Sequence, residues 1–281
     1  MYHLTYLSDG LRVKGYMCLP YGWRLPISQV QEWLQNHYGI QDLEATELAC
    51  PVHVTCTELP EGKWPVLIYC RGGIGRVGQV KTTWLEDFSI HDHIIFAPSY
   101  RGSEGGEGRD QFGGSDIEDV ISAYQFMAGL PFVDDQRISV MGFSRGSINA
   151  TAATVRLLHM YKLVLWGGVS DLAQTYEERI DLRRMMKRVI GGSTGKLPQA
   201  YELRSPIAHV QEIHCPVLIM HGTEDAQVDY SHGKNMFRRL HEAGKDVTFH
   251  TFTGYGHHLP PSMHALAIRN MFAWLQEPNK L

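Results

Sequence analysis

Short runs of apolar residues recur along the chain at 66–70, 94–97, 138–141, 163–166, 217–220 and 247–252, rich in valine, isoleucine and leucine. Uninterrupted runs of this length suit β-strands covered on both faces. Between them lie helix-length segments at 116–128, 147–159, 232–243 and 261–275. Such alternation requires βαβ crossovers, hence an α/β fold with a mostly parallel central sheet and helices on both faces. The chain opens differently. Alternating segments at 4–7 and 11–19 flank Ser8-Asp9-Gly10, and Asp-Gly supplies the positive φ angles of a tight hairpin turn.

Two stretches break the rhythm. Residues 21–61 are less regular, with one helix-like segment at 27–38, and read as an insertion beside the main sheet. Residues 170–213 are too long for one crossover and too charged for a strand, so they are expected to form a small helical lid over the C-terminal edge of the sheet. No repeat or Pro/Ser-rich linker divides the chain, which reads as a single domain over residues 1–281.

Composition narrows the partners. The formal charge of −4 is small and the basic residues are scattered, so neither nucleic acid nor an anionic membrane surface is an expected partner; a small ester or short peptide suits the chain better. No apolar stretch approaches the roughly 20 residues that span a bilayer, and MYHLTYLSDG does not read as a secretory leader. The five dispersed cysteines contain no C-x-x-C pair, which speaks against a disulfide framework or structural zinc. A cytoplasmic location is the simplest expectation.

The chemistry begins at Gly142-Phe143-Ser144-Arg145-Gly146, a G-x-S-x-G motif between a strand and a helix-like segment. A serine in a strained strand-to-helix turn needs neighbours without a Cβ. Its placement at a helix N-terminus aims the backbone N–H of Arg145 at a developing oxyanion. A serine hydroxyl also needs a base, and the base needs an orienting acid. Both fall after later strands: His221-Gly222-Thr223-Glu224-Asp225 offers Asp225, with Glu224 as its rival, and Gly256-His257-His258 offers His257, with His258 as its rival. The order Ser, acid, His is that of the G-x-S-x-G hydrolases.

These segments, together with Arg71-Gly72-Gly73, Tyr100-Arg101-Gly102-Ser103 and Arg204-Ser205-Pro206, resemble the catalytic domain of the prolyl oligopeptidase family. The resemblance implies an α/β-hydrolase fold, a serine hydrolase without cofactor, and Ser144, Asp225 and His257 as the triad. Many peptidases of that family place a tyrosine just before the paired glycines; Arg71 stands there in this chain. The second oxyanion donor is then expected from the backbone of Gly72 or Gly73, as in esterases. Esterase and peptidase activities both stay open.

Competing signals are present. Gly73-Ile74-Gly75-Arg76-Val77-Gly78 spells the dinucleotide fingerprint of an oxidoreductase, but the next strand at 94–97 runs into Pro98-Ser99-Tyr100 without the acid that would hold a ribose. A non-catalytic binding protein is a further alternative. His91-Asp92-His93 lacks a third ligand, so no metal is expected. Arg101 and Asp116 read as structural ion-pairing residues. Phe143, Trp166 and Tyr176 are candidates for an acyl pocket, and Arg183 or Lys187 for meeting a substrate carboxylate.

Overall fold

The computed structural model describes residues 1–49, 56–57 and 61–279. Nine strands form one sheet: β1 (Tyr2–Ser8), β2 (Leu11–Cys18), β3 (Ala45–Glu47), β4 (Trp64–Cys70), β5 (Ile94–Pro98), β6 (Val133–Phe143), β7 (Leu163–Trp166), β8 (Val217–Gly222) and β9 (Val247–Phe252), in the order β3-β1-β2-β5-β4-β6-β7-β8-β9. From β5 to β9 every neighbour is parallel, and β1, β2 and β3 add an antiparallel edge. The β1–β2 turn carries Asp9 and Gly10 at φ 51° and 76°, the left-handed pair that an Asp-Gly turn supplies. Within the 21–61 stretch, β3 pairs with β1 and extends the sheet; residues 50–55 and 58–60 lie outside the described residues.

Strand periodicity sorts the core into two layers. On β4, Val66, Ile68 and Cys70 face one side while Leu67 and Tyr69 face the other, and the alternation repeats on β7 with Leu163 and Leu165 against Val164 and Trp166. The first layer is covered by α1 (Ile27–Tyr38), α3 (Ile117–Ala128), α4 (Gly146–Arg156) and α8 (Tyr230–Glu242). The second is covered by α2 (Thr82–Ser89) and α9 (Pro261–Gln276), through Trp84, Leu85, Phe88, Ile268, Met271 and Phe272. The sheet order, its antiparallel edge and the two helical layers are those of the α/β-hydrolase fold.

Over the C-terminal edge of the strands, α5 (Leu172–Glu178), α6 (Arg183–Ile190) and α7 (Pro198–Glu202) pack a third cluster around Phe112, Ile148, Leu172, Met186 and Tyr201. The His91–His93 segment packs on Phe272: His91 stacks at 4.6 Å between ring centroids and His93 meets the ring edge-on at 4.9 Å. No helix among the described residues is long and apolar enough to cross a membrane.

The β6–α4 junction is the tightest point. A Cβ on Gly146 would lie 2.0 Å from the Cys70 carbonyl oxygen, and one on Gly142 would lie 2.4 Å from the Ser147 Cα. Both obstacles are backbone, which cannot swing aside. Gly146→Ala is expected to lose about 3 kcal/mol or more in denaturant unfolding, at the upper end of overpacking costs. Gly62→Ala, whose Cβ meets nothing within 4 Å, is expected to stay within about 0.5 kcal/mol of the parent.

Candidate active site

Ser144 stands between β6 and α4 at φ 56°, left-handed backbone that a residue with a side chain adopts only when its surroundings impose it. Its N–H donates to the Trp166 carbonyl at 2.9 Å, fastening the turn to the end of β7. The next residue, Gly167, has φ 51°, and a Cβ there would lie 3.3 Å from the His257 ring and 3.5 Å from Asp225 Oδ2. One dipeptide thus ties the serine turn to the acid and the imidazole.

Asp225 follows β8 and His257 follows β9. His257 Nδ1 and Asp225 Oδ2 are 2.7 Å apart, and both residues are buried. Oδ1 of Asp225 accepts the N–H groups of Gln227 and Val228, each at 2.9 Å, and His221 Nε2 lies 3.4 Å from Oδ2. Burial alone would raise this carboxyl, but hydrogen bonding from His221 and His257 and the nearby backbone N–H groups hold it well below the usual carboxylate range. Glu224 is exposed and lies outside this arrangement. His258 makes no bond to Asp225; burial, Lys81 and His257 lower it to about 4.

Ser144 and His257 line the same cavity of about 250 Å³, with Phe143, Ile74, Phe112, Val169, Leu182, Met185 and Val228 as its apolar wall. The Phe143 and His257 ring centroids are 4.8 Å apart. No hydrogen bond joins the Ser144 hydroxyl to His257; a shared cavity and the Gly167 contact bring them together. Hydrogen bonds of this kind are often long before substrate binds. The segment expected to form a lid contributes Thr175, Arg179, Leu182 and Met185 to the wall. Tyr176 instead packs on Tyr201, and Trp166 lines an adjoining cavity of about 300 Å³. Arg183 is bound to Glu177 at 2.7 Å and to the Tyr176 carbonyl.

A buried charge cluster underlies the glycine pair, and two of its members, Asp110 and Asn149, gave no signal in the sequence. The Arg145 guanidinium reaches Asp110 and Asp116, each at 2.6 Å, and donates to the Gly73 carbonyl at 2.9 Å. Arg71 donates to the carbonyls of Gly72, Gly73 and Ser99 and lies 3.6 Å from Asp110. Both guanidinium groups cover the Tyr100 ring, at 4.5 and 4.9 Å from its centroid. Asp116 also accepts from Asn149 and from the N–H groups of Gln111, Gly113 and Gly114. Burial would raise its carboxyl, but Arg145 and these donors bring it below the ordinary value. Arg101 pairs separately with Asp119 at 2.9 Å.

The glycine stretch 73–78 does not open a helix. It closes through a 3₁₀ turn (Gly75–Gly78), and a Cβ on Gly78 would fall 2.4 Å from Arg71 Nη1. Gly72 instead abuts the Ser144 turn: a Cβ there would meet Ser144 Cβ at 2.9 Å. That is not a dinucleotide cradle.

The chain is 34% identical over 277 residues to the uncharacterised peptidase YtmA of Bacillus subtilis (strain 168), covering 98% of this chain and 93% of that protein. It is 27% identical over 188 residues to acylamino-acid-releasing enzyme 1 of Oryza sativa subsp. japonica, covering 61% of this chain and 23% of the relative. Among solved structures, a Mycobacterium tuberculosis puromycin-hydrolysing peptidase superimposes with a TM-score of 0.73 at 22% identity, over 96% of this chain and 38% of the other. An acylaminoacyl peptidase in complex with Z-Gly-Gly-Phe-chloromethyl ketone gives 0.74 at 17%, over 99% and 42%. The chain therefore spans well under half of these larger proteins, and the structural likeness establishes the shared fold. The family model of the prolyl oligopeptidase family matches residues 84–280, a range that holds the serine turn, the acid loop and the histidine loop, and the chain belongs to that family.

Proposed function

We propose that this chain is a serine hydrolase that cleaves amide or peptide bonds, and esters as well, through Ser144, His257 and Asp225. The observation that carries the reading is the buried Asp225–His257 pair opening on the same apolar cavity as a serine held in left-handed backbone before a helix N-terminus. Relatives named as peptidases favour amide and peptide substrates among these bonds.

His257 takes the Ser144 proton as the serine oxygen attacks the carbonyl carbon, and returns it to the leaving nitrogen or oxygen as that bond breaks. The acyl-enzyme is then hydrolysed by water that His257 deprotonates. Asp225 stays ionised, fixes the imidazole with Nδ1 toward itself, and stabilises its charged form.

The N–H of Arg145, at the start of α4, supplies one oxyanion donor. The clamped carbonyls favour Gly73 over Gly72 for the other. A trans peptide points its N–H away from its carbonyl. With the Gly72 carbonyl held by Arg71, the N–H of Gly73 belongs to the fixed peptide beside Ser144. Arg71 and Arg145 act as positioning residues for this loop.

Active-site labelling tests the reading. The wild-type chain is expected to react covalently with a fluorophosphonate and Ser144→Ala is not; a folded wild-type chain that takes no label would leave a binding protein in its place. Asp225→Asn is expected to lower kcat by about 10³-fold or more, because the imidazole tautomer is no longer fixed. The depressed Asp225 carboxyl stabilises the fold fully above the unfolded carboxyl pKa of about 3.9, and this contribution declines as pH falls toward the lower folded value. Thermal unfolding should accordingly show the wild-type advantage over Asp225→Asn narrowing below about pH 4.

A further inference from the structure

The adjoining cavity of about 300 Å³ lies on the other side of the imidazole. His257, His258, Phe143 and Lys81 line both spaces, whereas Ser144, Gly72, Gly73 and Arg145 line the first one alone. Trp84, Trp166, Leu259, Pro261 and His264 complete the adjoining one. In the proposed mechanism the scissile carbonyl sits with the oxyanion donors, and the atom that takes the proton from His257 is the leaving nitrogen. The substituent on that nitrogen therefore extends past the imidazole into the adjoining cavity.

The charged side chains that line the two spaces are of one sign. No aspartate or glutamate lines either of them. Of the arginines and lysines that do, Arg71 and Arg145 are balanced by Asp110 and Asp116, and Arg179 by Asp181 at 2.7 Å. Lys81 alone has no carboxylate or hydrogen-bond acceptor among the described residues. Its ammonium lies at the rim, 5.3 Å from the centroid of the Trp84 ring. Partial burial lowers its pKa, and no carboxylate offsets that cost. Two helices also begin here: Lys81 immediately precedes α2 and Pro261 opens α9, and neither helix has a side-chain cap or an acidic residue in its first turn. The positive ends of both macrodipoles fall at this cavity, and apart from Asp225 on His257 the carboxylate acting on its lining is Asp87 of the second turn of α2, which faces His264. His258 and His264, both lowered by burial, add no positive charge near neutral pH.

We infer that the cavity beyond His257 is a subsite for the α-carboxylate of the leaving amino acid, with Lys81 as its counter-ion. The preferred substrates are then short peptides or N-acyl amino acids that release a C-terminal residue. This inference rests on the hydrolase reading above. A leaving α-amino acid carries its carboxylate two bonds from the nitrogen that His257 protonates, so one bound orientation serves both the proton transfer and the ion pair.

The test compares benzyloxycarbonyl-phenylalanyl-leucine with its C-terminal amide. Wild-type enzyme should favour the free acid by roughly tenfold in kcat/KM, equivalent to about 1.4 kcal/mol. The ratio should collapse toward one in Lys81→Met, which keeps most of the aliphatic stem, and be largely kept in Lys81→Arg. Added salt should shrink it in the wild type. If neither compound is turned over, their inhibition constants against hydrolysis of a neutral ester provide the same ratio. A wild-type ratio near one, or one unchanged in Lys81→Met, overturns the subsite and leaves Lys81 a solvated rim lysine, while Ser144-dependent fluorophosphonate labelling persists. Loss of that labelling in the wild type overturns the hydrolase reading itself.

Discussion

Everything at this site depends on holding one serine at φ 56°. A residue with a Cβ resists that conformation, so the surroundings must outweigh the local cost, of order 1–3 kcal/mol. They do so by close packing of backbone on backbone: Gly146 against the Cys70 carbonyl, Gly142 against the start of α4, and the serine N–H on the end of β7. The central strands are buried on both faces, which leaves no slack through which the turn could relax. Rigid scaffold and strained residue are two aspects of one constraint.

The second element of rigidity is electrostatic. Two guanidinium groups and two carboxylates share a nearly dry volume beneath Gly72 and Gly73, and their charges balance. Such a cluster adds little net stability over an apolar core, because burying ions is expensive. What it adds is direction: the guanidinium N–H groups point at carbonyl oxygens that would otherwise be free to flip. The balance also explains why a cluster of this size leaves Arg71 and Arg145 unavailable to an anionic ligand.

Much of the fold is legible in the sequence, because both-face burial writes itself as short aliphatic runs and the elbow is a local motif. Elements whose register depends on distant partners are harder to read. β6 begins at Val133, yet Asp134, Asp135, Gln136 and Arg137 hide its first half, since that end of the strand projects into solvent. β3 has no apolar pattern and exists because β1 offers an edge. α2 starts on two β-branched threonines without a side-chain cap, and only Trp84, Leu85 and Phe88 betray its buried face. At the site, Ser144 is announced by its neighbours, and Asp225 and His257 by strand order. Asp110 and Lys81 acquire meaning only when loops far apart in the chain converge; polar residues in loops carry no periodicity to mark them.

The strand order has a consequence for how this chain is made. β6, β7, β8 and β9 are laid down one after another toward a single edge, and the Ser144 turn follows the first of them while Asp225 and His257 follow the last two. A chain still emerging from the ribosome displays its serine on a growing sheet long before the imidazole has been synthesised. On the mechanism proposed above, a chain at that stage carries a serine without the base that would activate it.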